Sequence, residues 1–512
     1  MNKEKGTNQR HWGVPFSLFI ENIIMEANQE LTKIAYMISL ISRKTTEFIN
    51  IPKGNDKMKS QIKEQTNNIT EGVIWKPLLL FFFPILVGIF FQQLYNTVDT
   101  LIVGRFVGKE ALSSVGGSAA QIINLIVGFF TGISTGAAVL ISQYYGAKDE
   151  KRLQDTLHTA YAFSVIGGVI FGAVGMLCSP QLLRLMDTPE ELMADSVTYV
   201  RIYFAGLIFV FVYNMGAAAL RAIGDSKRPL YLLIVCCVIN IVLDLVFVLI
   251  LEMGVAGVGI ATLLSQGISA ILVTWLLMYR TKELKFDIRR MRLHGELLKK
   301  LLFIGLPTGI ETSMYSISNI IIQTALNGFG VDTMAAWAAY GKIDSFYWMI
   351  NNAFGISIMT FVGQNFGAGK WDRIRKAVRL WLTIAIVTAL SVSTLLLCNS
   401  QFLFRIFTAD DEVVEIGVRM MSIITPAYFL FEFIEIFSGT LRAEGDVIIP
   451  SIMVLCGTCL FRIVWLTVVS VGKSMEMIMY CYPITWGICA VMFIIYYLWK
   501  QKRVLSKEGV ER

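Results

Sequence analysis

The feature that most constrains this chain is a series of apolar runs that recurs twelve times after the first 75 residues. Each run is long enough for a membrane helix, which needs about 20 mainly apolar residues to cross the bilayer core. The sequence has 512 residues, of which 55% are hydrophobic and only 16% are charged. A soluble protein of this length would need many more polar side chains to cover its surface. The pattern therefore predicts an all-α polytopic membrane protein with twelve transmembrane helices.

The twelve predicted spans form two groups of six on either side of a basic linker. They cover 77–103, 115–144, 157–178, 197–222, 229–251, 254–279, 301–326, 335–364, 378–398, 416–440, 449–471 and 475–499. The domains follow as a polar extension (1–75), a six-helix lobe (76–279), the linker (280–300), a second six-helix lobe (301–499) and a tail (500–512). The extension has no run long enough to span. We expect it to be disordered or to lie on the membrane surface, unless the start is over-long and Met58 is the first residue.

Lysine and arginine are concentrated in the loops on one side of the predicted bundle. The basic loops follow the second, fourth, sixth and eighth spans, and the tail is basic as well. Such residues collect on the cytoplasmic side, so both termini are expected to face the cytoplasm at the cell membrane. No basic cluster is interleaved with aromatic residues, and no nucleic-acid partner is expected. We expect a monomer whose partners are membrane lipid and small molecules.

The two lobes repeat one another in sequence. Two motif pairs share an offset of 221, and a proline pair has an offset of 223: Gln143–Ala147 with Gln364–Ala368, Leu220–Asp225 with Leu441–Asp446, and Pro84 with Pro307. Duplicated membrane helices are typical of secondary transporters. Because six spans is an even number, the lobes share one orientation, and we expect a pseudo-two-fold axis along the membrane normal. The glycines of these motifs are expected to end helices tightly.

A stripe of polar residues crosses the first span. Gln92, Asn96 and Asp99 are spaced so that all three lie on one face of a helix. Pro84 lies fifteen residues before the aspartate and is expected to bend the helix. A carboxylate at membrane depth is costly and usually faces protein or a water-filled cavity, so Asp99 is a candidate functional residue.

A second group of polar residues lies in the fifth and sixth spans. Asn240 and Asp244 share a helix face, and a tight turn at 252–254 can bring Thr262 level with Asp244. Oxygen ligands of this kind suit a hard cation such as Na⁺. Without a cation, burial and mutual repulsion of the two aspartates would favour a bound proton. Asn240 and Thr262 could instead simply join helices by hydrogen bonds.

The repeat does not copy these groups into the second lobe. Asp99 maps onto Ile322, Asn240 onto Phe461, Asp244 onto Trp465 and Thr262 onto Pro483. The second lobe has candidates of its own at buried positions: Glu311, Lys342, Asp344, Glu432 and Glu435. Glu432 and Glu435 could line a cavity that attracts organic cations, or they could brace the loop that follows.

The motifs resemble the multidrug and toxic compound extrusion (MATE) family, and within it the DNA-damage-inducible protein F (DinF) branch, over about residues 70–500. They are Gln92–Asp99, two Gly-Asp-x-x-x-Pro loops, Asn240-x-x-x-Asp244 and Met253–Thr262. The resemblance implies two six-helix lobes that export drugs in exchange for sodium ions or protons. It places the ion site at Asp99, Asn240, Asp244 and Thr262, further polar positions at Gln92 and Asn214, and a helix bend at Pro84. The seventh-helix acid of a sibling branch is not matched, because Glu311 lies a turn too early.

The sequence thus favours a secondary active multidrug efflux antiporter, with no cofactor beyond H⁺ or Na⁺. The alternative is a flippase for lipids or lipid-linked oligosaccharides. It would need a wide basic cavity, whereas the first-lobe cavity is expected to be acidic. A membrane enzyme is not favoured, because the chain has no Walker loop and no HExxH zinc motif.

Overall fold

The computed structural model describes residues 69–469 and 474–510, and in these ranges helices occupy all twelve predicted spans. The predicted extension up to residue 68 lies outside the described residues. The first lobe contains α1 (Trp75–Ile102), α2 (Lys109–Gly116), α3 (Ser118–Gly146), α4 (Glu150–Leu185), α5 (Glu190–Ala205), α6 (Leu207–Ala222), α7 (Lys227–Leu245) and α8 (Gly254–Tyr279). The second lobe contains α9 (Gly295–Asn327), α10 (Val331–Gly367), α11 (Trp371–Cys398), α12 (Ser400–Arg405), α13 (Asp411–Ile424), α14 (Tyr428–Ala443), α15 (Ile448–Val454), α16 (Phe461–Val464), α17 (Met475–Met479) and α18 (Cys481–Val510).

Not every predicted span is apolar enough to qualify on composition alone. Among the described residues, nine helical stretches are long and apolar enough to cross a membrane, and ten when α5 and α6 count as one bent span. The two remaining spans are α9 and α10. Much of α10 is buried inside the protein, and α9 packs closely against α3. Helices that contact protein rather than lipid can carry more polar residues.

Small residues hold the two lobes together along α3 and α9. A Cβ added to Gly132 would lie only 2.5 Å from the Cα of Gly309, and one added to Gly136 would lie 2.8 Å from the backbone nitrogen of Gly305. Membrane helices approach this closely only where both present glycine or a similarly small residue. The α3–α9 pair is therefore a seam at which the backbones of the two lobes are nearly in contact.

Each lobe bends its fourth span at the same repeat position by a different means. In the first lobe, α5 and α6 meet at Gly206 with a bend of 47°. In the second lobe, a short 3₁₀ turn at Thr425–Ala427 contains Pro426 and separates α13 from α14. Proline removes a backbone hydrogen bond from the helix, which explains the break in the second lobe.

The repeated glutamines join the lobes at one end of the bundle, which we call the closed end. Gln143 Nε2 donates to the carbonyl of Ala443, and Gln364 Nε2 donates to the carbonyl of Ala222, both at 2.7 Å. Beside them, a Cβ on Gly146 would lie 1.9 Å from the carbonyl oxygen of Gln364. The expectation that this glycine serves a tight helix exit is wrong, because its role is the close contact between lobes. The residue of positive φ after the helix is Lys148 (φ 58°).

The glycines of the second motif pair do end their helices as expected. Gly224 has φ +92° and Gly445 has φ +85°, which is the left-handed region that glycine adopts without steric cost. Each follows the last residue of a helix by two positions. Pro229 and Pro450 lie in the first turns of the next helices, where a missing N–H costs nothing.

The segments that precede the lobes dock across the bundle. Arg373, at the start of α11, donates to backbone carbonyls of residues 69–72 ahead of the first lobe. The linker ahead of the second lobe docks on α4, where His158 Nε2 accepts from the backbone N–H of Asp287 at 3.0 Å. Each lobe is thus tied to the segment that leads into the other lobe.

Candidate functional site

Both candidate aspartates lie in the last turn of a helix that then continues as a π-helix. Asp99 lies four residues before Val103–Val107, and Asp244 lies two residues before Val246–Ile250. The backbone N–H of Val103 donates to the carbonyl of Asp99. A π-helix widens the turn and often occurs at functional sites. The local backbone next to each acid is therefore irregular in the same way.

The tight turn expected before the sixth span is present. Glu252 has φ +51° and Gly254 has φ +56°, so the chain reverses and α8 packs back along α7. Thr262 of α8 and both Asn240 and Asp244 of α7 are buried. The structure thus has the turn that the expected convergence of these residues requires.

The four candidate ion-site residues are buried, and most of their side-chain polar atoms have no protein hydrogen-bond partner. Their exposed fractions are 9% for Asp99, 1% for Asn240, 0% for Asp244 and 7% for Thr262. Six of their side-chain polar atoms have no hydrogen-bond partner in the described part of the chain. These atoms are both oxygens of Asp244, Oδ1 of Asp99, both polar atoms of Asn240 and Oγ1 of Thr262. A buried polar atom without a partner costs about 1–3 kcal/mol. These residues therefore have oxygen atoms that could bind a small cation or a proton and that have no partner in the protein.

The two carboxyl groups also contact one another. Asp99 and Asp244 lie within hydrogen-bonding reach of each other. Two ionised carboxylates can only accept, so this contact requires a proton on one of them or a cation between them. No group of three or more His, Cys, Asp or Glu side chains converges elsewhere in the residues the structure describes.

A cavity of about 610 Å³ borders this cluster and reaches the second lobe. Six residues predicted in the first lobe line it: Pro84, Gln92, Asn96, Asp99, Asn214 and Thr262. Asn240 and Asp244 do not line it and are almost fully buried. The N-terminal half of α3 also lines the cavity, while its C-terminal half packs on α9. The lobes therefore separate with distance from the closed end.

The expectation of an acidic cavity is wrong in one respect. Its charged lining residues are Asp99, Arg221 and Lys342. Lys342 belongs to the second lobe but faces the same cavity as Asp99, and Arg221 comes from the repeated loop motif. From the sequence, that motif is expected only to end a helix, and Arg221 is not among the predicted cavity residues. Its position within an apolar run could have indicated a functional role.

The predicted acids of the second lobe have partners and do not line this cavity. Glu311 accepts from Arg442 at 2.6 Å and from Ser451 at 3.0 Å. Glu432 accepts from the hydroxyl of Tyr347 at 3.0 Å. Glu435 lies near Arg442, which belongs to the following loop motif, and this geometry favours the bracing alternative for Glu435. Of these three acids, Glu311 is thus paired with a cation inside the lobe, whereas Glu432 Oε2 has no hydrogen-bond partner among the described residues.

The second lobe also contains a buried arginine that the sequence argument missed. Arg462 follows Phe461, the counterpart of Asn240, and is fully buried. Its guanidinium donates to Asn319 at 3.2 Å and lies 4.5 Å from the ring centre of Tyr482. A cation therefore occupies the depth at which the first lobe has its acids.

One serine motif on α3 fits the GxSxG letter pattern of hydrolases but not its structure. Gly132–Gly136 lies in the middle of a helix, and the Ser134 hydroxyl donates to the Phe130 carbonyl at 3.0 Å. A nucleophile elbow needs a strand-to-helix turn that exposes the hydroxyl. This serine is part of the glycine-rich seam.

Comparisons with known proteins agree with this architecture. The MatE family model matches residues 84–246 and 307–469, one match in each lobe. "Probable multidrug resistance protein YoeA" of Bacillus subtilis is 31% identical over 444 residues, which cover 84% of this chain and 95% of that protein. The "FAD transporter" of Shewanella oneidensis is 24% identical over 420 residues, covering 80% and 92%.

A solved structure gives the same fold. The outward-facing conformation of a MATE family transporter aligns with a TM-score of 0.79 at 20% identity, covering 87% of this chain and 99% of that one. The assignment to the DinF branch stays a prediction. The duplicated family match and the relative above 30% identity show the family itself. The chain belongs to the MatE family, the multidrug and toxic compound extrusion family of membrane transporters, and so to transporters rather than enzymes.

Proposed function

We propose that the protein is a secondary active antiporter of the cell membrane that exports cationic or amphipathic organic compounds in exchange for H⁺ or Na⁺. The observation that carries the proposal is the pair of buried acids, Asp99 and Asp244, which contact one another beside a cavity that Asp99 lines. An ionisable group is retained at membrane depth chiefly where an ion or proton uses it. The name of the Bacillus subtilis relative supports this substrate class.

In the proposed cycle, the closed end faces the cytoplasm, as the loop charges predict, and the described conformation is outward-facing. A proton or sodium ion from outside loads the Asp99–Asp244 cluster, with Asn240 and Thr262 as further oxygen ligands. Loading displaces substrate from the cavity and allows the closed end to separate. Coupling requires that ion and substrate favour different states of the two lobes.

One observation favours the alternative function of a flippase: Arg221 and Lys342 place two cationic groups on the cavity wall. Against it, the cavity volume of about 610 Å³ is that of a site for a drug-sized ligand. The carboxyl of Asp99 on the cavity wall also repels a pyrophosphate. A fluorescent lipid-flipping assay in proteoliposomes separates the two functions.

The test of the antiporter is ethidium transport in everted vesicles under an imposed sodium gradient and, separately, an imposed pH gradient. We expect saturable transport coupled to one gradient, and loss of that coupling in Asp99→Asn. The matched control is Asp195→Asn, the same change at an exposed position. Transport that ignores both gradients, or full coupled transport by Asp99→Asn, would overturn the proposal.

A further inference from the structure

We propose that Arg221 is a binding residue for an anionic group, specifically a carboxylate, on the substrate that occupies the first-lobe cavity. The inference rests on the proposed export function and names the residue that would hold the carboxylate of a zwitterionic substrate.

In the second lobe, the arginine of the loop motif is held by acids. Arg442 Nη2 donates to Glu311 Oε1 at 2.6 Å, and the other oxygen of Glu311 accepts from Ser451 at 3.0 Å. Glu435 lies close enough to both charged groups to interact with them electrostatically. In the second lobe, an arginine at this position therefore binds a buried carboxylate that also accepts a hydrogen bond from a hydroxyl.

In the first lobe, Arg221 occupies the equivalent position without any of those partners. The offsets of 223 and 221 place Gly88 where Glu311 stands, Leu230 where Ser451 stands and Asn214 where Glu435 stands. All three replacements line the cavity together with Arg221. The first lobe therefore has no acid at the position from which Glu311 reaches Arg442, and Arg221 lines the cavity instead.

Among the residues that the structure describes, no other acid pairs with Arg221. It has no salt bridge and no side-chain hydrogen bond to any described residue, although it is largely buried and its guanidinium is always charged. Its electrostatic neighbour is Tyr213, whose buried hydroxyl also lacks a hydrogen-bond partner. The Asn214 amide lies on the same cavity wall.

The chemistry of this site selects its ligand. A guanidinium presents parallel N–H donors that match the two oxygens of a carboxylate, and the bond is strongest away from water. A hydroxyl and an amide beside it can supply further donors. Gly88 and Asp99 are eleven residues apart on α1, or about 16 Å at the helical rise. The cavity thus offers an anion-binding end at Arg221 and an acidic end at Asp99.

The test compares two probes that differ only in the carboxylate, norfloxacin and its ethyl ester, bound to the full-length protein in lipid nanodiscs. We expect wild type to favour the acid, and the ratio of acid to ester affinity to fall about 10- to 100-fold in Arg221→Gln, as expected for a charge-assisted hydrogen bond. The same substitution at the exposed Arg105 is the control and should leave the ratio at the wild-type value.

A second variant tests the same space without removing the arginine. Gly88→Glu returns the acid that the second lobe has, and its Cβ would meet only the ends of Leu233 at 3.2 Å and Leu230 at 3.8 Å, which can move aside. We expect the new glutamate to pair with Arg221 inside the protein. The ratio of acid to ester affinity should then fall as it does in Arg221→Gln. An unchanged ratio in whichever of the two variants folds would overturn the proposal, as would a wild type that does not distinguish acid from ester.

A separate probe keeps this test independent of the export function. If wild type binds neither quinolone, the proposed drug export fails, and benzoate alone then decides the role of Arg221. A rise in melting temperature with millimolar benzoate in wild type but not in Arg221→Gln would support a carboxylate site. The absence of any rise in wild type would overturn it.

Discussion

Substitution of Gly367 by alanine should force the two lobes apart at the closed end. A Cβ on Gly367 would lie 1.9 Å from the carbonyl oxygen of Gln143 and 3.0 Å from the backbone nitrogen of Ala147. Both are backbone atoms of α3 and its end, so no side-chain rotation can relieve the overlap. Ordinary contact begins near 3.4 Å, and the helices must therefore separate by about 1.5 Å (3.4 − 1.9).

The free-energy cost of this separation comes from the hydrogen bonds and the close packing at the closed end. The hydrogen bonds from Gln143 to Ala443 and from Gln364 to Ala222, both 2.7 Å, each contribute about 1 kcal/mol. Overpacking at a tight contact costs about 1–3 kcal/mol. Even about 2 kcal/mol against the closed arrangement lowers the ratio of closed to open protein about 30-fold.

Hydrogen–deuterium exchange of the protein in nanodiscs measures this shift. The reporting amides are those of Ala147 and Ala368, which donate to the carbonyls of Gln143 and Gln364 at 2.9 and 3.0 Å. We expect both to exchange faster in Gly367→Ala, by up to about 30-fold, because these helix ends become accessible to water when the lobes separate. Gly341→Ala on the same helix is the control, because nothing lies within 4 Å of its Cβ. Equal exchange in wild type and Gly367→Ala would refute the reasoning.

Other substitutions test the ion cluster, the second-lobe ion pair and the docked leading segment. Asp99→Asn should abolish gradient-coupled ethidium export while leaving the melting temperature close to that of wild type, because the amide keeps the volume but cannot exchange a proton. Arg442→Met should lower the free energy of unfolding by about 3–5 kcal/mol, measured by chemical denaturation, since it leaves Glu311 buried without its partner. Arg373→Gln should speed amide exchange and proteolysis at 69–75, because its guanidinium holds the carbonyls of residues 69–72.

Controls for these variants come from exposed positions with the same chemistry. Arg405→Met removes a surface pair with Asp411 at 2.7 Å and should change stability by less than about 1 kcal/mol. If it destabilised the protein as much as Arg442→Met does, burial would not be the reason for the larger effect. Lys376→Gln, one turn after Arg373, should leave exchange at 69–75 at the wild-type rate.

Much of the fold could be predicted from the sequence because membrane helices are constrained locally. Length and hydropathy of each run, together with loop charge, predicted twelve helical spans, and the structure has helices at all of them. The repeat predicted two lobes for the same reason, since each half carries a complete set of spans. The tight turn at Gly254, which the expected convergence of Asp244 and Thr262 requires, is also a local feature, and it is present.

Only the tertiary structure shows which segments that are distant in sequence contact one another. The role of Gly146 depends on the approach of Gln364, more than two hundred residues away, and a glycine at a helix end has the same local signature in either role. Arg221 and Arg442 lie in the same Leu-Arg-Ala-x-Gly-Asp motif, yet Arg442 is paired with Glu311 and Arg221 faces a cavity. Local sequence determines which helices form, because backbone hydrogen bonds and lipid contact are satisfied within each span. Which charges are neutralised depends on the side chains that neighbouring helices bring beside them, and that is known only once the helices are packed.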